Sequence, residues 1–298
     1  MIYFVTVNYY SRDWVQILIA SITRGITSPH HILIVNNSPE EEGLRSMDDK
    51  YVTILESGSN LGFGQACNLG INYAWQYHPQ SLVWLINPDA VIHPNADTYI
   101  QNCFREDDTL AILGTQILTV DGAIWFSHGT FNPWTGSVKH HNQPPQHDFQ
   151  ELTRPCQWVT GCSLVLNLRV FQDCPGFSNA YFLYSEDTDL CLRYGRQGYR
   201  VTVTQHPLVT HQVSALIGHH PGLMYQYYTY GRLALLRQHG TILGLSFYLL
   251  HSLLQGLLRL PWQPAQAWGR WQGISQFLWL LLPADDLSFH GGSYKDSP

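Results

Sequence analysis

The sequence is poor in charge: only 13% of its 298 residues are Asp, Glu, Lys or Arg, and no block of Lys and Arg stands out. Nucleic-acid binding needs a concentrated basic surface, so this pattern and the net charge of −6 argue against a DNA or RNA partner. The sequence also lacks internal repeats and low-complexity tracts. Because 45% of the residues are hydrophobic, we expect a folded globular protein, and wholesale disorder is excluded.

The six cysteines form none of the patterns typical of metal or disulfide scaffolds. They are scattered without a CxxC pair, which excludes a zinc cage and favours reduced thiols in a cytosolic protein. The first eight residues, MIYFVTVN, lack the basic and long apolar segments of a secretory signal and are typical of a strand. We therefore expect a cytoplasmic protein.

Up to about residue 120, short β-branched runs alternate with helical patterns, which predicts an α/β fold with a mostly parallel sheet. The expected strands are 2–7, 32–35, 52–55 and 82–86, and the expected helices are 14–22, 64–75 and 96–104. Farther along we expect a hairpin at 117–126, a flap over 127–155, strands at 159–166 and 201–209, and a helix at 186–197.

The residues after 220 predict a helical appendage that extends to about residue 290. A helix is expected at 225–238, followed by apolar segments at 242–258 and 274–282. His251 and Gln255 interrupt the first apolar segment and Arg259 ends it, so a full membrane crossing is not favoured. The tryptophans and arginines of this region favour contact with a membrane interface, and a helical hairpin packed on the sheet remains the alternative.

Polar residues follow three of the predicted strands, where parallel sheets bind ligands. They are Asn8-Tyr9-Tyr10, Asn36-Asn37-Ser38 and Asn87-Pro88-Asp89. Asn amides can bond a base or a ribose, although for any single Asn a role in shaping the turn is favoured. Asp89 is a lone carboxylate that can hold a divalent cation beside a bound diphosphate, with a Pro-Asp turn as an equal alternative.

The segment from Gly62 to Cys67 (GFGQAC) opens a helix and partly matches a dinucleotide-binding loop. The third glycine of that motif is replaced by Cys67, and a Tyr-x-x-x-Lys pair is lacking. Both features disfavour a Rossmann dehydrogenase or epimerase.

The most informative segment for chemistry runs from Tyr181 to Arg193 (YFLYSEDTDLCLR). Glu186 and Asp187 begin a helix directly after aromatic residues, where a carboxylate can act as a general base toward a sugar hydroxyl. Acidic residues are also common in the first turn of a helix, where they interact favourably with the helix dipole, and this explains the same residues without a catalytic role. His211 lies at the end of a predicted strand. It is a candidate ligand, although a single His is more often a packed residue.

Taken together, these motifs resemble the family 2 glycosyltransferases, especially the rhamnosyltransferase-like branch that builds bacterial surface polysaccharides. The resemblance covers most of residues 1 to about 240. Its ordered motifs are VNY at 7–9, VNNS at 35–38, NLGFGQACNLG at 60–70, LINPD at 85–89, VTGCS at 159–163, and GF at 176–177 through FLYSEDTDLCLR at 182–193. The Asn-Pro-Asp and Glu-Asp-x-Asp-Leu segments are specific only in combination.

The resemblance implies a GT-A fold, a nucleotide-diphosphate sugar donor such as a dTDP- or UDP-sugar, and a divalent metal, Mg²⁺ or Mn²⁺. It implies transfer with inversion to a saccharide or lipid-linked acceptor. Asp89 matches the last acid of the metal-binding DxD motif, and His211 matches a histidine late in the family's sequence that approaches the metal. Asp187 matches the catalytic base, and Glu186 is the second candidate for that role. The other matching positions are Asn8, Tyr9, Asn36, Asn68 and Asn87 on the nucleotide side, and Trp158 and Gly161 on the acceptor side.

Two positions depart from the family pattern. Asn36 stands where the family usually has Asp, and Asn87 replaces the first acid of DxD. We expect a catalytic domain over 1–220, with a nucleotide-sugar half (1–115) and an acceptor half (116–220), and a helical, membrane-associating region over 221–290. The competing hypothesis is a non-catalytic nucleotide-sugar or saccharide binding module that scaffolds a membrane assembly.

Overall fold

The computed structural model describes residues 1–143, 151–212 and 220–280. Within these ranges the chain forms twelve strands and seven α-helices. The strands are Ile2–Asn8 (β1), His30–Asn36 (β2), Val52–Glu56 (β3), Leu82–Ile86 (β4), Ala90–Ile92 (β5), Leu110–Thr119 (β6), Ile124–Phe126 (β7), His128–Phe131 (β8), Val138–His141 (β9), Thr153–Pro155 (β10), Ser163–Asn167 (β11) and Arg200–His211 (β12). The helices are Arg12–Gly25 (α1), Phe63–Tyr77 (α2), Ala96–Glu106 (α3), Glu186–Arg196 (α4), Pro221–His239 (α5), Ile242–Arg259 (α6) and Pro264–Trp279 (α7).

The main sheet has the order β10-β12-β6-β11-β4-β1-β2-β3, with β5 paired to β12 and β7 to β6 beside this path. Strands β4, β1, β2 and β3 are parallel, as the alternating pattern predicts. Strand β11 runs antiparallel between β4 and β6. The predicted α/β class is confirmed, and the second half of the chain adds antiparallel strands to the parallel half.

The core lies on both faces of the parallel strands. All seven residues of β1 are buried, as expected for a central strand covered by helices on each side. Helix α1 packs through Val15, Leu18 and Ile22, which share one helical face. Helix α2 approaches β1 closely because Gly70 has no side chain, and a Cβ there would lie 2.4 Å from Val5 Cγ1. This packing fixes the ends of β1 and β2 at one edge of the sheet.

The predicted flap over 127–155 contains structure that the sequence pattern does not indicate. Strands β8 and β9 form a separate two-stranded hairpin, and β10 joins the main sheet. Their short sequences, HGTF and VKHH, show little apolar alternation, so tertiary contacts rather than local preference select the strands. Residues 144–150 of the predicted flap lie outside the described ranges.

The strand expected at 159–166 begins only at Ser163. The preceding residues form a turn, because the amide of Ser163 donates to the carbonyl of Thr160 and the amide of Gly161 donates to the side chain of Asp187. The expectation for residues 159–162 was therefore wrong. The Thr160–Cys162 turn therefore contacts the first turn of α4 through Gly161 and Asp187.

The C-terminal helices pack on one another and on α4. Glycines at 269 and 273 let α7 approach α5 closely. Helix α5 is fastened to α4 by a buried pair in which His239 Nε2 and Asp189 Oδ1 are 2.8 Å apart. Helix α6 buries only Gly244, Ser252 and Gly256. The predicted helical appendage is present up to residue 280, and its expected extension to 290 lies outside the described residues.

Candidate active site

The predicted site residues come from elements that end at one edge of the sheet. Strands β1 and β2 end at Asn8 and Asn36, β4 ends just before Asn87, and β12 ends at His211. Strands β1, β2 and β4 are parallel to one another. Strand β12 has the same direction, because it is parallel to β6 and the antiparallel β11 lies between β6 and β4. The carboxyl ends of all four strands therefore lie on the same side, where doubly wound sheets bind ligands.

The amide of Asn8 is buried and bonded to protein groups. Its Nδ2 donates to Glu41 Oε2 at 2.6 Å and to Ser38 Oγ at 3.0 Å, while its Oδ1 accepts from the amide and hydroxyl of Ser11. Asn8 thus organises the loops that follow β1 and β2. The side chain of Tyr9, the next residue, is exposed at this edge.

Asn36 is buried at the end of β2, directly opposite Glu56 at the end of β3. Its Nδ2 donates to Glu56 Oε2 at 2.8 Å, and Arg45 Nε donates to the other oxygen of Glu56 at 3.1 Å. A carboxylate therefore stands beside Asn36, although position 36 itself has no charge. The sequence interpretation did not include Glu56 or Glu41, since neither belongs to a recognised motif.

Asn68 and Asn87 connect the nucleotide-side elements to the second half of the chain. The side-chain amide of Asn68 accepts from the amide of Phe177 at 2.8 Å and donates to its carbonyl at 2.9 Å. The backbone amide of Asn87 donates to the carbonyl of Cys162 at 3.0 Å. Each asparagine thus holds a loop of the second half against the parallel strands.

Asp89 and His211 meet, although 122 residues separate them in sequence. Strand β5 pairs with β12 so that Ala90 lies opposite His211, and this register brings Asp89 Oδ1 to 3.1 Å from His211 Nε2. Both side chains are buried, and His211 Nδ1 has no hydrogen-bond partner among residues 1–143, 151–212 and 220–280. Within the described ranges, no cluster of three or more His, Cys, Asp and Glu residues could hold a metal ion.

A divalent cation nevertheless fits this pair. One carboxylate and one imidazole are ligands that Mn²⁺ accepts, and Mg²⁺ commonly takes one or two carboxylates with the remaining positions filled by phosphate oxygens and water. Besides the nitrogen bonded to Asp89, the His211 ring has a second buried nitrogen, Nδ1, that lacks a hydrogen-bond partner within the described residues.

Asp187 lies in the first turn of α4 and faces the Thr160–Cys162 turn. Its Oδ2 accepts from the amide of Gly161 at 3.0 Å, and its Oδ1 accepts from the amide of Thr188 at 2.6 Å. Backbone N–H groups and the helix N-terminus both stabilise a carboxylate anion. Helix α4 is entered through Tyr184 and Ser185, both with positive φ (68° and 69°), an uncommon backbone conformation that clusters at functional sites.

Glu186 differs from its neighbour. It is buried, and its Oε2 has no hydrogen-bond partner within the described residues. Burial, and next the charge of Asp187, raise the pKa of Glu186 to about 8. Glu186 is therefore mainly protonated at neutral pH.

The two acids of interest, Asp89 and Asp187, approach the same turn. Gly161 bonds to Asp187, while Cys162 bonds through its carbonyl to Asn87, two residues before Asp89. The pKa of the Cys162 thiol is raised well above its usual value by burial and then by the charges of Asp89 and Asp187. Both carboxylates thus lie near one buried thiol in this turn.

Aromatic rings and His140 form a wall beside His211, which sequence reasoning did not find. The ring of Trp125 is 4.6 Å from that of His211 and 5.6 Å from that of His140. Burial lowers the pKa of His140, while the nearby charge of Asp187 opposes this effect. The sequence gives little signal for the wall, because it depends on the β8–β9 hairpin and on β7.

Trp158, predicted on the acceptor side, lies behind this wall. Its indole is 1% exposed, covers Gly129 and stands 5.0 Å from the ring of His140. A Cβ at Gly129 would lie 2.0 Å from Trp158 Cε2, so only glycine permits this contact. The role of Trp158 in acceptor binding stays a prediction.

Comparison with known proteins identifies the class. The family model described as "Glycosyl transferase family group 2" matches residues 82–284, which is more than half of the chain. The chain belongs to this family and is a glycosyltransferase, as the resemblance implied. The family match does not favour the alternative of a non-catalytic binding module.

Two relatives point to the rhamnosyltransferase-like branch. N-acetylglucosaminyl-diphospho-decaprenol L-rhamnosyltransferase of Mycobacterium tuberculosis is 25% identical over 244 residues, covering 73% of this chain and 78% of that protein. Rhamnosyltransferase WbbL of Escherichia coli is 22% identical over 221 residues, covering 67% of this chain and 79% of WbbL. The predicted resemblance to this branch is confirmed.

A solved structure supports the GT-A fold. The structure of GalNAc-T7 with UDP, GalNAc and Mn²⁺ superimposes with a TM-score of 0.65 at 12% identity, over 97% of this chain. The chain spans 56% of the length of that protein. At this identity the likeness shows the fold alone.

Proposed function

We propose that the chain transfers a sugar, with inversion, from a nucleoside-diphosphate donor to a hydroxyl group of a saccharide or lipid-linked acceptor in surface polysaccharide synthesis. The observation that carries the proposal is that Asp187 and the Asn87–Asp89 segment both approach the Thr160–Cys162 turn, where the charges of Asp187 and Asp89 both act on the Cys162 thiol. The names of both relatives support rhamnose as the sugar, and the name of the Mycobacterium tuberculosis enzyme supports a lipid-linked acceptor.

In this proposal Asp187 is the general base. As the acceptor oxygen attacks the anomeric carbon, Asp187 accepts the hydroxyl proton, and the bond from that carbon to the diphosphate breaks on the opposite face. Two backbone donors fix the orientation of the carboxylate before the substrate arrives. Preorganisation of this kind avoids reorganising the site during the reaction.

Asp89 and His211 would hold the divalent cation, Mg²⁺ or Mn²⁺. When bound, the cation supplies positive charge that stabilises the departing diphosphate. The pair is buried and joined by a hydrogen bond, so both side chains are already close together in the protein.

We assign the donor nucleotide, a dTDP- or UDP-sugar, to the edge formed by the ends of β1, β2 and β4. Asn8, Asn36, Asn68 and Asn87 shape this edge through hydrogen bonds to neighbouring loops, and the exposed ring of Tyr9 is available for a base. This corresponds to a nucleotide-sugar half over 1–115. Gly161 and the wall backed by Trp158 belong to an acceptor half over 116–220.

We further propose that the C-terminal helices rest on the cytoplasmic face of the membrane, where a lipid-linked acceptor would be reached. Helix α6 is the one helix in the described part of the chain that is long and apolar enough to cross a bilayer. Its outer face exposes large side chains, including Ile242 (84%), Leu243 (69%) and Leu250 (68%). Residues 221–280 contain no acidic residue and four arginines, of which Arg232 is buried and Arg237, Arg259 and Arg270 are at least partly exposed; this charge suits anionic lipid headgroups.

The enzymatic proposal is tested by thermal unfolding with UDP, dTDP and GDP, each with Mn²⁺, followed by transfer assays with the matching sugars. A ligand that binds only the native state raises its stability in proportion to affinity. We expect one nucleotide to stabilise the protein and its sugar to be transferred. A failure of every nucleotide to bind would contradict the proposal.

A further inference from the structure

The indole of Trp125 packs against two histidines, one of which belongs to each end of the proposed reaction centre. At one end its ring lies 4.6 Å from that of His211, the partner of Asp89. At the other end it lies 5.6 Å from that of His140, which feels the charge of Asp187. Trp125 is half-buried, so part of the ring remains accessible.

Further rings pack around His140, the second neighbour of Trp125. Phe126 lies 5.2 Å from His140 and 5.6 Å from Trp158, and Trp158 lies 5.0 Å from His140. Strand β7 carries Trp125 and is paired with β6, which is also paired with the strand that ends at His211. The orientation of Trp125 is therefore set by packing on two sides.

The chemistry of transfer requires a sugar at this place. The transferred sugar is bonded to the diphosphate, which lies near Asp89 and His211, and its anomeric carbon must be reached by an oxygen whose proton goes to Asp187. The sugar must therefore lie between these two groups, and Trp125 packs against His211 at the first of them. An aromatic face offers a large, rigid apolar surface to the C–H face of a pyranose.

We propose that Trp125 is the platform for the transferred sugar and so a determinant of donor-sugar binding, an inference that rests on the proposed function. The nucleotide and diphosphate are bound by other residues. The contribution of Trp125 is therefore confined to the sugar, and it is measured by how much more tightly the sugar nucleotide binds than the bare nucleotide.

The test is calorimetry on the full chain with Mn²⁺, using the pairs dTDP and dTDP-L-rhamnose, and UDP and UDP-glucose. We expect Trp125→Leu to reduce the affinity ratio of sugar nucleotide to nucleotide by about three- to tenfold, and Trp125→Phe to retain most of it. Taking the ratio within one variant cancels any effect on the diphosphate that is transmitted through His211. Trp134→Leu is the matched control, because Trp134 is 60% exposed in the same half of the chain.

An unchanged ratio in Trp125→Leu, with a folded variant verified by its thermal transition, would overturn the inference and leave the glycosyltransferase proposal intact. If Trp125→Leu does not fold, Trp125→Phe and Trp125→His provide the test. In these variants the affinity ratio of sugar nucleotide to nucleotide should decrease with the size of the aromatic face, and an unchanged ratio would overturn the inference. Absence of wild-type affinity for both pairs would instead contradict the proposed function, and the inference with it.

Discussion

The carboxylate of Asp187 accepts a hydrogen bond from the backbone amide of Gly161 at 3.0 Å. This bond joins the first turn of α4 to the turn that precedes β11, and β11 pairs with the strand leading to Asp89. A shift of this turn would therefore move the proposed base relative to the proposed metal-binding pair. The positions of the two acids are coupled through the backbone.

Glu186→Gln should change how stability depends on pH. The pKa of Glu186 is raised from 4.5 to about 8 by burial and by Asp187, so the folded chain keeps a proton that the unfolded chain releases. The resulting stabilisation is fully present below about pH 4.5 and is lost as pH rises through 8. Urea unfolding across this window should show wild type losing stability relative to Glu186→Gln as pH increases. Parallel pH profiles would contradict the assignment.

Asp189→Asn should destabilise the protein and leave the affinity for the nucleotide donor unchanged. Asp189 is buried and bonded to His239 at 2.8 Å and to Arg193 at 3.2 Å, so it connects α4 with α5. Loss of a charge from such a pair leaves its partners unmatched, and we expect a decrease of about 2–4 kcal/mol in the free energy of unfolding.

The matched control is Asp107→Asn, which breaks the more exposed pair with Arg200 and should cost less than about 1 kcal/mol. Chemical denaturation of both variants provides the comparison. Equal losses in the two variants would show that Asp189 does not fasten α4 to α5.

The combined change of Leu250→Ser and Leu257→Ser should weaken membrane binding without unfolding the chain. Both side chains are exposed on α6 (68% and 62%), so their removal costs little internal packing. Each buried leucine contributes roughly 1.5 kcal/mol to binding, so the partition coefficient onto phosphatidylglycerol vesicles, measured by flotation, should decrease by about a hundredfold.

The control for membrane binding is Ile17→Ser, since Ile17 is exposed on α1, outside the C-terminal helices. It should float like wild type. A wild-type chain that ignores vesicles and forms dimers through α6 would assign this face to self-association and overturn the membrane proposal.

The sequence predicts the parallel half of the fold well. The expected strand at 82–86 coincides with β4, and the ends of β1, β2 and β3 differ from expectation by one or two residues. Strong apolar runs and regular alternation carry this information, because they reflect burial between helix layers. The polar residues after these strands were also found at the expected edge of the sheet.

The hairpin of β8 and β9 and the wall with Trp125 and His140 were not predictable in the same way. VKHH becomes a strand through pairing with β8 and through contacts with Trp158, none of which leaves a local pattern. The carboxylate of Glu56 beside Asn36 depends on the register between β2 and β3. Features made by pairing between distant segments need the structure.

The most direct test of the central claim compares Asp187→Asn with Asp89→Asn in transfer assays and in calorimetry of donor binding with Mn²⁺. We predict that Asp187→Asn keeps donor affinity and loses about 10²- to 10⁴-fold in kcat, whereas Asp89→Asn loses the Mn²⁺-dependent part of donor binding. Asp173→Asn, on the exposed surface, should behave as wild type. Full turnover by Asp187→Asn would contradict the assignment of the base and, with it, the account of one cleft shared by two acids.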